Sequence, residues 1–417
     1  MKFSKSVMRS GILFLIYSSS YAGAQVNLTD VSTRWVETWG SSQQQPAEKD
    51  ALASGAFDDG TLRQVIHSSI AGGAFRLHLS NAFSDGPLAI TSLHVARLKQ
   101  GSHEGEIQPE TDRPLTFLGS NVVVIPAGTE FWSDPVRMDL PESADLVITM
   151  AVKVAPHTPT FHAGSRATSF YRSGDHTTDL KLDSPHRVEH WYFIAGVEVV
   201  ARTDERSIVV LGDSITDGHD SITDSNQRWT DFLAARLLAD PKLKRVGVVN
   251  QGIGGNCLLK TCLGESALRR FDRDVIAQPG VHYLLVLEGV NDLGSLESKS
   301  EQPQESHDAL VSAMEDAYRQ IILRAHSHGI LVYGCTMTPI GRSFYFHLKT
   351  EADRQKINEW IRTSHAFDAV IDFDAALRDP NKPDQMAPEA DSKDNLHPGP
   401  GGYKRMGESV PLELFRQ

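Results

Sequence analysis

Cysteine is scarce in this chain, since its 417 residues include only three. Three cysteines exclude a fold that depends on a framework of disulfides. Cys257 and Cys262 are close enough in sequence to pair if the loop between them bends back; otherwise they are two free thiols. Cys335 lies in an apolar run, where we expect a buried side chain that behaves as a small hydrophobic group.

Long apolar runs are also missing. After residue 24 no stretch approaches the roughly 20 apolar residues that cross a bilayer. Residues 1–24 combine a basic beginning with Lys2 and Lys5, a short apolar core at 12–17, and small residues up to Ala24. This pattern is typical of a secretory signal peptide. We therefore predict cleavage after Ala24, a secreted or periplasmic protein, and no membrane span.

Recognisable metal and nucleotide motifs are absent as well. No His-Glu-x-x-His occurs, no Cys/His cluster has ligand spacing, and His326 and His328 fit a solvated helix end. A net charge of −12 disfavours nucleic acid as a substrate or partner, because such a surface repels phosphate backbones. We expect no metal and no cofactor, and a neutral or weakly charged substrate.

The length of the chain predicts two domains after the signal peptide, at 25–203 and 204–417. The first has short alternating or apolar runs between turn residues, at 75–79, 88–96, 121–125, 146–154 and 192–200. Such runs are typical of an antiparallel β-sandwich or jelly roll. This domain either binds carbohydrate or shapes one wall of a cleft in the second domain. The polar and aromatic candidates for either role are Trp132, Trp191, His162 and Arg166. The alternative is that both Trp residues belong to the core and that His162 and Arg166 are surface loop residues.

The second domain alternates strands and helices, which predicts a parallel sheet covered on both faces. Five strands favour a flavodoxin-like, doubly wound α/β sheet with the strand order 2-1-3-4-5. The predicted strands are 207–211, 246–250, 283–288, 330–336 and 369–374, and the predicted helices are 229–239, 305–327, 351–364 and 402–414.

A serine turn follows the first strand of that sheet. Four apolar β-forming residues, at 208–211, run into Gly212, Asp213 and Ser214. Ligands bind at the carboxyl edge of such sheets, and a serine hydroxyl there is a nucleophile when a base and amide donors lie nearby. The alternative is an ordinary polar turn before a helix.

Three later segments favour the catalytic interpretation. The second strand ends in a glycine-rich loop with Gly254 and Gly255, whose amides can approach a ligand closely. The third ends in Gly289-Val290-Asn291-Asp292, where the Asn291 side chain offers a donor to an oxyanion and Asp292 offers an acceptor to loop amides. An Asx turn is the alternative for that segment.

A histidine near the end of the sequence completes the set. His397 is the most plausible base, and Asp394, three residues earlier, is placed to orient it through the other ring nitrogen. The spacing alone is weak, because Asp183 and His186 repeat it in a loop of the first domain.

Together these segments resemble the blocks of the SGNH (GDSL-type) hydrolase family, in that family's order over residues 205–417. Ile215 stands where the first block usually has Leu. Segments of the first domain, at 35–40 and 79–83, are similar to a two-domain, secreted, xylan-esterase-like branch.

The resemblance implies a serine esterase that acts on acetyl or other short acyl esters of carbohydrates such as xylan or pectin. It implies that Ser214, His397 and Asp394 are catalytic. It also implies an oxyanion hole made by the amides of Ser214 and Gly255 and the side chain of Asn291, with Gly254 as the alternative amide. Asp213, Gly289 and Asp292 then support the site. A broad short-chain carboxylesterase or lipase, or a carbohydrate-binding protein with an inactive hydrolase half, remains as an alternative.

Overall fold

The first half of the chain folds into antiparallel strands joined by short turns. The structure, a computed structural model, describes residues 33–50, 52–53, 55–202, 204–297 and 300–416. The predicted signal peptide lies outside these residues. The strands are β1 (Trp35–Gly40), β2 (Gly60–His67), β3 (Gly72–Ser80), β4 (Leu88–Arg97), β5 (Arg113–Pro114), β6 (Val123–Ile125), β7 (Glu130–Trp132), β8 (Val136–Leu140), β9 (Asp145–Val154), β10 (Phe161–His162), β11 (Ser169–Ser173), β12 (His186–Val188), β13 (Trp191–Tyr192) and β14 (Ile194–Val200).

These strands form two main antiparallel sheets. One has the order β1-β14-β3-β7, with β8 also paired to β3; the other has the order β12-β11-β2-β9-β4-β5, with β6 also paired to β4. Successive side chains of a strand point to opposite faces. Alternate residues such as Leu77 and Leu79 of β3, and Ile148 and Met150 of β9, therefore meet in one apolar core between the sheets. The predicted β-sandwich is confirmed.

The second half contains the parallel sheet. Its strands are β15 (Arg206–Gly212), β16 (Val246–Gly252), β17 (Val281–Leu287), β18 (Leu331–Cys335) and β19 (Ala369–Ile371), followed by a hairpin of β20 (Arg378–Asp379) and β21 (Lys382–Met386). The order β16-β15-β17-β18-β19 is the predicted 2-1-3-4-5. The helices are α1 (Ser214–Asp217), α2 (Trp229–Ala239), α3 (Ala267–Phe271), α4 (Val290–Leu296), α5 (Gln304–His326), α6 (Leu348–Thr363), α7 (Phe373–Leu377) and α8 (Pro400–Ser409).

Helices cover both faces of this sheet. On one face, α5 and α6 pack through side chains such as Met314 and Ile357. On the other, α2 and α8 pack through side chains such as Leu233 and Tyr403. The doubly wound arrangement is confirmed, and it brings the carboxyl ends of β15, β16 and β17 to one edge of the sheet.

Three predicted elements end differently in the structure. The run 192–200 is divided because Phe193 has a left-handed backbone with φ of 62°. The strand predicted to reach residue 374 stops at Ile371, since Asp372 caps α7 by accepting from the Ala375 amide. The last helix stops at Ser409 because Pro411 disfavours helical backbone at the residue before it.

The sandwich packs against the edge of the parallel sheet. The Glu37 amide in β1 donates to the Pro279 carbonyl at 2.9 Å, and the Val248 amide in β16 donates to Ser69 Oγ at 3.0 Å. Strand β16 is an edge strand, so this contact covers amides that would otherwise be open to another chain. From Arg34 onward the chain forms one compact unit, and the predicted division at 203/204 remains a prediction. No described helix is long and apolar enough to span a membrane.

Candidate active site

The carboxyl end of β15 delivers the serine to the sheet edge. Gly212 ends the strand, where a Cβ would collide with the Thr216 side chain. Asp213 then caps α1, accepting from the Ile215 amide at 2.9 Å. Ser214 is the first residue of that helix and is 7% exposed. Its backbone amide has no hydrogen-bond acceptor in the described part of the chain, so it is free to bind a ligand.

The loop before α8 brings a histidine to this serine. Ser214 Oγ lies 2.8 Å from His397 Nε2, and His397 Nδ1 lies 2.6 Å from Asp394 Oδ2. With Nδ1–H donating to the carboxylate, Nε2 is left to accept from the serine hydroxyl. The other Asp394 oxygen accepts from the amides of Leu396 at 2.9 Å and His397 at 2.8 Å. The three predicted catalytic side chains therefore form one hydrogen-bonded relay.

Asp394 is ionised in this arrangement. Partial burial raises the pKa of its carboxyl group, but hydrogen bonds from the His397 amide and ring and from the Leu396 amide outweigh burial and leave the pKa at about 2. The carboxylate therefore keeps its charge at neutral pH, where it can stabilise a positive imidazolium.

The glycine-rich loop after β16 presents one free amide. The Gly254 amide donates to Asp217 Oδ2 at 3.0 Å, so it is already bound. The Gly255 amide has no acceptor among the described residues, and its φ of 70° is one that glycine adopts without strain. Of the two predicted alternatives, Gly255 is the one whose amide is available to an oxyanion.

Asn291 has a fixed orientation at the start of α4. Its Nδ2 donates to the Asn256 carbonyl at 2.7 Å, and Tyr345 donates its hydroxyl to Asn291 Oδ1 at 2.9 Å. One of the two Nδ2 hydrogens remains without an acceptor in the described residues. Gly289 precedes α4 and has a left-handed backbone with φ of 111°. A Cβ at this position would lie 2.5 Å from Met314 Cε.

The glycine-rich loop is held at its far end by a carboxylate and a disulfide. Asp292 accepts from the amides of Leu258 at 2.6 Å and Leu259 at 3.0 Å. Cys257 and Cys262 are joined by a disulfide, with their Cα atoms 5.7 Å apart. Both restraints act within a few residues of Gly255.

A buried arginine ties the carboxyl ends of β15, β16 and β17 together. Arg270 is 1% exposed. It donates to the carbonyls of Gln251 at 2.6 Å and Gly212 at 3.0 Å. It also forms ion pairs with Glu288 at 3.1 Å and Asp274 at 3.0 Å. Nothing in the local sequence around Arg270 announces this role, which depends on contacts between distant segments.

The carboxylates beside Arg270 are strongly perturbed. Burial, with a smaller contribution from the charge of Asp292, raises the pKa of Asp213 to about 7, against the lowering effects of the Ile215 amide and Arg270. Burial also raises the pKa of Glu288 well above its ordinary value, with Asp213 adding to the effect. Burial therefore opposes ionisation of both carboxyl groups, and Arg270 acts against that effect at each of them.

Two of the sandwich candidates reach this site. His162 Nε2 lies 3.0 Å from Asp217 Oδ1, and Asp217 is the last residue of α1, the helix that begins at Ser214. Arg166 Nη2 lies 3.3 Å from His219 Nδ1. The other two have different surroundings: Trp191 is buried and stacks beside His162 at 5.6 Å, whereas Trp132 is 43% exposed.

His219 is a site residue that the sequence analysis does not identify. Its ring lies 4.2 Å from the His397 ring, centroid to centroid, and burial together with the nearby His397 lowers its pKa. His219, Asp220, Asp394 and His397 have possible metal-ligand atoms within 4.8 Å of one another. However, Asp394 and both nitrogens of His397 are engaged in the serine relay. The absence of a bound metal remains a prediction.

Part of the chain matches a known protein family. Residues 210–405, a little under half of the chain, match the model of the GDSL-like Lipase/Acylhydrolase family. The resemblance to SGNH (GDSL-type) hydrolases is thereby confirmed for this part. No curated protein matches the chain.

Several solved structures are similar to about half of the chain. A GDSL-like lipase from Bacteroides thetaiotaomicron is 18% identical, with a TM-score of 0.36, covering 52% of this chain and 91% of its own. An acetyl xylan esterase is 18% identical, with a TM-score of 0.37, covering 49% and 96%. A member of the lipolytic protein G-D-S-L family from Veillonella parvula is 20% identical, with a TM-score of 0.37, covering 51% and 99%.

Proposed function

We propose that this chain, whose residues 210–405 form a GDSL-like lipase/acylhydrolase domain, is an exported serine esterase that removes acetyl or other short acyl groups from carbohydrate substrates. The observation that carries the proposal is the relay of Ser214, His397 and Asp394, in which both hydrogen bonds are shorter than 3 Å. A carbohydrate-binding protein without activity has no need for this geometry.

Acylation begins at Ser214. Its Oγ attacks the ester carbonyl carbon while His397 Nε2 takes the hydroxyl proton. The imidazolium that forms is stabilised by the Asp394 carboxylate, which also fixes the ring orientation. The tetrahedral intermediate then expels the alcohol, to which His397 returns the proton. The acyl group remains on Ser214.

The developing oxyanion is stabilised by the uncommitted donors: the amides of Ser214 and Gly255 and the second hydrogen of Asn291 Nδ2. Loss of one such donor typically costs about 3 kcal/mol of transition-state stabilisation. Water then attacks the acyl carbon, with His397 as the general base. The products are a carboxylic acid and the regenerated serine.

The test compares purified wild type with Ser214→Ala and His397→Ala on p-nitrophenyl acetate. We expect kcat to fall by about 10³-fold or more in both variants, and fluorophosphonate to label the wild type but not Ser214→Ala. His186→Ala is the matched control, because His186 has the same Asp-x-x-His spacing but is exposed on the sandwich. Full activity of either active-site variant contradicts the proposal.

A broad short-chain carboxylesterase is the second candidate, and one feature favours it. Tyr345, which contacts Asn291, belongs to a segment with exposed apolar side chains: Phe344 is 70% exposed and Leu348 is 77% exposed. Such a surface suits an aliphatic or aryl group better than a sugar. Acetylated xylan and pectin fragments, compared with p-nitrophenyl esters from acetate to octanoate, separate the two: a carbohydrate esterase has the higher kcat/KM on the glycans.

Export rests on residues 1–24, which lie outside the described residues. Amino-terminal sequencing of the mature protein is expected to begin at Gln25. Retention of Met1 in protein recovered from the native host contradicts export by this signal.

A further inference from the structure

His162 links the sandwich to the glycine-rich loop through a buried contact with Asp217. The residue is 3% exposed. Its Nδ1 lies 2.8 Å from the Ser42 carbonyl, and its Nε2 lies 3.0 Å from Asp217 Oδ1. The Ser42 carbonyl and the Asp217 carboxylate are both hydrogen-bond acceptors, so the His162 ring bridges an acceptor of the sandwich and an acceptor beside the glycine-rich loop.

Asp217 carries the link onward to the glycine-rich loop. Its Oδ2, the oxygen that His162 does not contact, accepts from the Gly254 amide at 3.0 Å. The pKa of Asp217 is lowered: burial raises it, but the charge and hydrogen bond of His162 outweigh burial. A buried carboxylate therefore holds the residue immediately before Gly255.

The backbone around Asp217 is shaped to admit this carboxylate. A Cβ on Gly164 would collide with it, and so would a Cβ on Gly252 with the Asp217 backbone. At Gly254 a Cβ would lie 3.3 Å from Asp217 Oδ2. Gly164 belongs to the sandwich, Gly252 ends β16 and Gly254 lies in the glycine-rich loop, so both halves of the chain leave room for Asp217.

We propose that His162 and Asp217 are positioning residues for the oxyanion hole. In this assignment His162 orients the Asp217 carboxylate, Asp217 engages the Gly254 amide, and the next amide, that of Gly255, is left pointing at the reacting carbonyl. The sandwich is then part of the catalytic unit and not a separable binding module. This inference rests on the proposed esterase function.

A positioning role and a purely structural role give different kinetics. Misplacement of a donor that acts on the oxyanion lowers kcat and leaves KM nearly unchanged, whereas general loosening of the fold lowers thermal stability without that pattern. The same misplacement slows the reaction of Ser214 with fluorophosphonate, whose phosphoryl oxygen occupies the oxyanion hole.

The experiment uses the full-length chain and three variants. His162→Ala removes both contacts, and we expect kcat to fall by about 10- to 100-fold with KM within about threefold of wild type. His162→Gln places an amide donor near the Nε2 position, and we expect it to recover part of the loss. Thr168→Ala is the control, because Thr168 crosses the same junction by donating to Asp224 Oδ2 at 2.7 Å without touching the loop. It is expected to retain wild-type kcat.

Asp217→Asn covers the case in which His162→Ala does not fold. The new amide group can accept one of the two hydrogen bonds but not both, so we expect at least a tenfold fall in kcat. A folded Asp217→Asn or His162→Ala variant with wild-type kcat overturns the inference. An equal loss in Thr168→Ala also overturns it, because the effect is then structural. If the wild type neither hydrolyses esters nor reacts with fluorophosphonate, it is the proposed function that fails.

Discussion

At the scale of single residues, the local motifs single out the side chains of the proposed relay and miss several of the residues that hold them. Ser214 and His397 each stand in a short segment at a strand end or before the last helix, where polar residue type and neighbours are informative. Tyr345, His219 and Arg270 have no such local signal. Their roles depend on contacts with other segments of the chain or on the packing of rings, and one sequence does not reveal these.

Tyr345→Phe tests how the Asn291 amide is held. Without the hydroxyl, Asn291 Oδ1 loses its donor and the amide can rotate away from the oxyanion, so we expect kcat to fall about tenfold with little change in KM. Steady-state kinetics on p-nitrophenyl acetate measures this. Tyr171→Phe, on the sandwich, is the control for hydroxyl loss. An unchanged kcat means that Asn291 needs no help from Tyr345.

Asp213→Asn tests how much ionisation of the buried Asp213 carboxyl group lowers the free energy of unfolding. The folded-state pKa of about 7 lies above the unfolded value, so the native state holds a proton that the unfolded state has lost. Stability from this group is present below pH 4 and is lost as the pH rises through about 7. Asn cannot ionise and still accepts from the Ile215 amide.

We therefore expect Asp213→Asn to increase the free energy of unfolding by about 1–3 kcal/mol at pH 8 and by much less at pH 5. Urea denaturation at both pH values measures the difference. An equal effect at the two pH values argues against an ionisation cost at this position.

At the scale of secondary structure, the strand and helix pattern predicts the parallel sheet, because alternation of buried strands and amphipathic helices is a local property. The residues at which strands and helices end are harder to predict from the sequence. Asp372 and Asp374 continue an apolar strand pattern, yet Asp372 caps a helix. Pro411 is the one visible signal that α8 had to end early. The disulfide loop is an element whose two cysteines the sequence shows but whose closure it leaves open.

Replacement of Cys257 and Cys262 by Ser tests that loop. Closing so short a loop contributes about 2 kcal/mol by restricting the unfolded chain, so we expect unfolding at correspondingly lower urea. We also expect a lower kcat, because Gly255 is two residues from Cys257. Cys335→Ala is the control: its thiol is buried, and this variant should remain as sensitive to reductant as the wild type. Activity unaffected by reduction contradicts a role for the bridge in the site.

At the scale of the whole molecule, the order of strands is predictable and the junction between the halves is not. Right-handed crossovers restrict how five parallel strands are arranged. No comparable rule says that β1 covers the edge of β16, or that His162 contacts Asp217. Those contacts depend on the fit of two surfaces, such as Gly280 against Val36, where a Cβ would lie 2.5 Å from Val36 Cγ2.

We expect the two halves to unfold together, since they share this junction. Trp39 and Trp191 report on the sandwich, and Trp229 and Trp360 report on the helices of the other half. Tryptophan fluorescence and far-ultraviolet circular dichroism should give coincident urea transitions. Two separate transitions mean that the junction contributes little to stability.

The separation of the relay along the chain has a consequence for timing. His397 follows Ser214 by 183 residues, and 55 residues separate His162 from Asp217. A nascent chain that has left the ribosome only as far as residue 390 contains Ser214 but not His397. Under the proposed mechanism, such a chain has no base for the serine and gains activity only when synthesis is nearly finished.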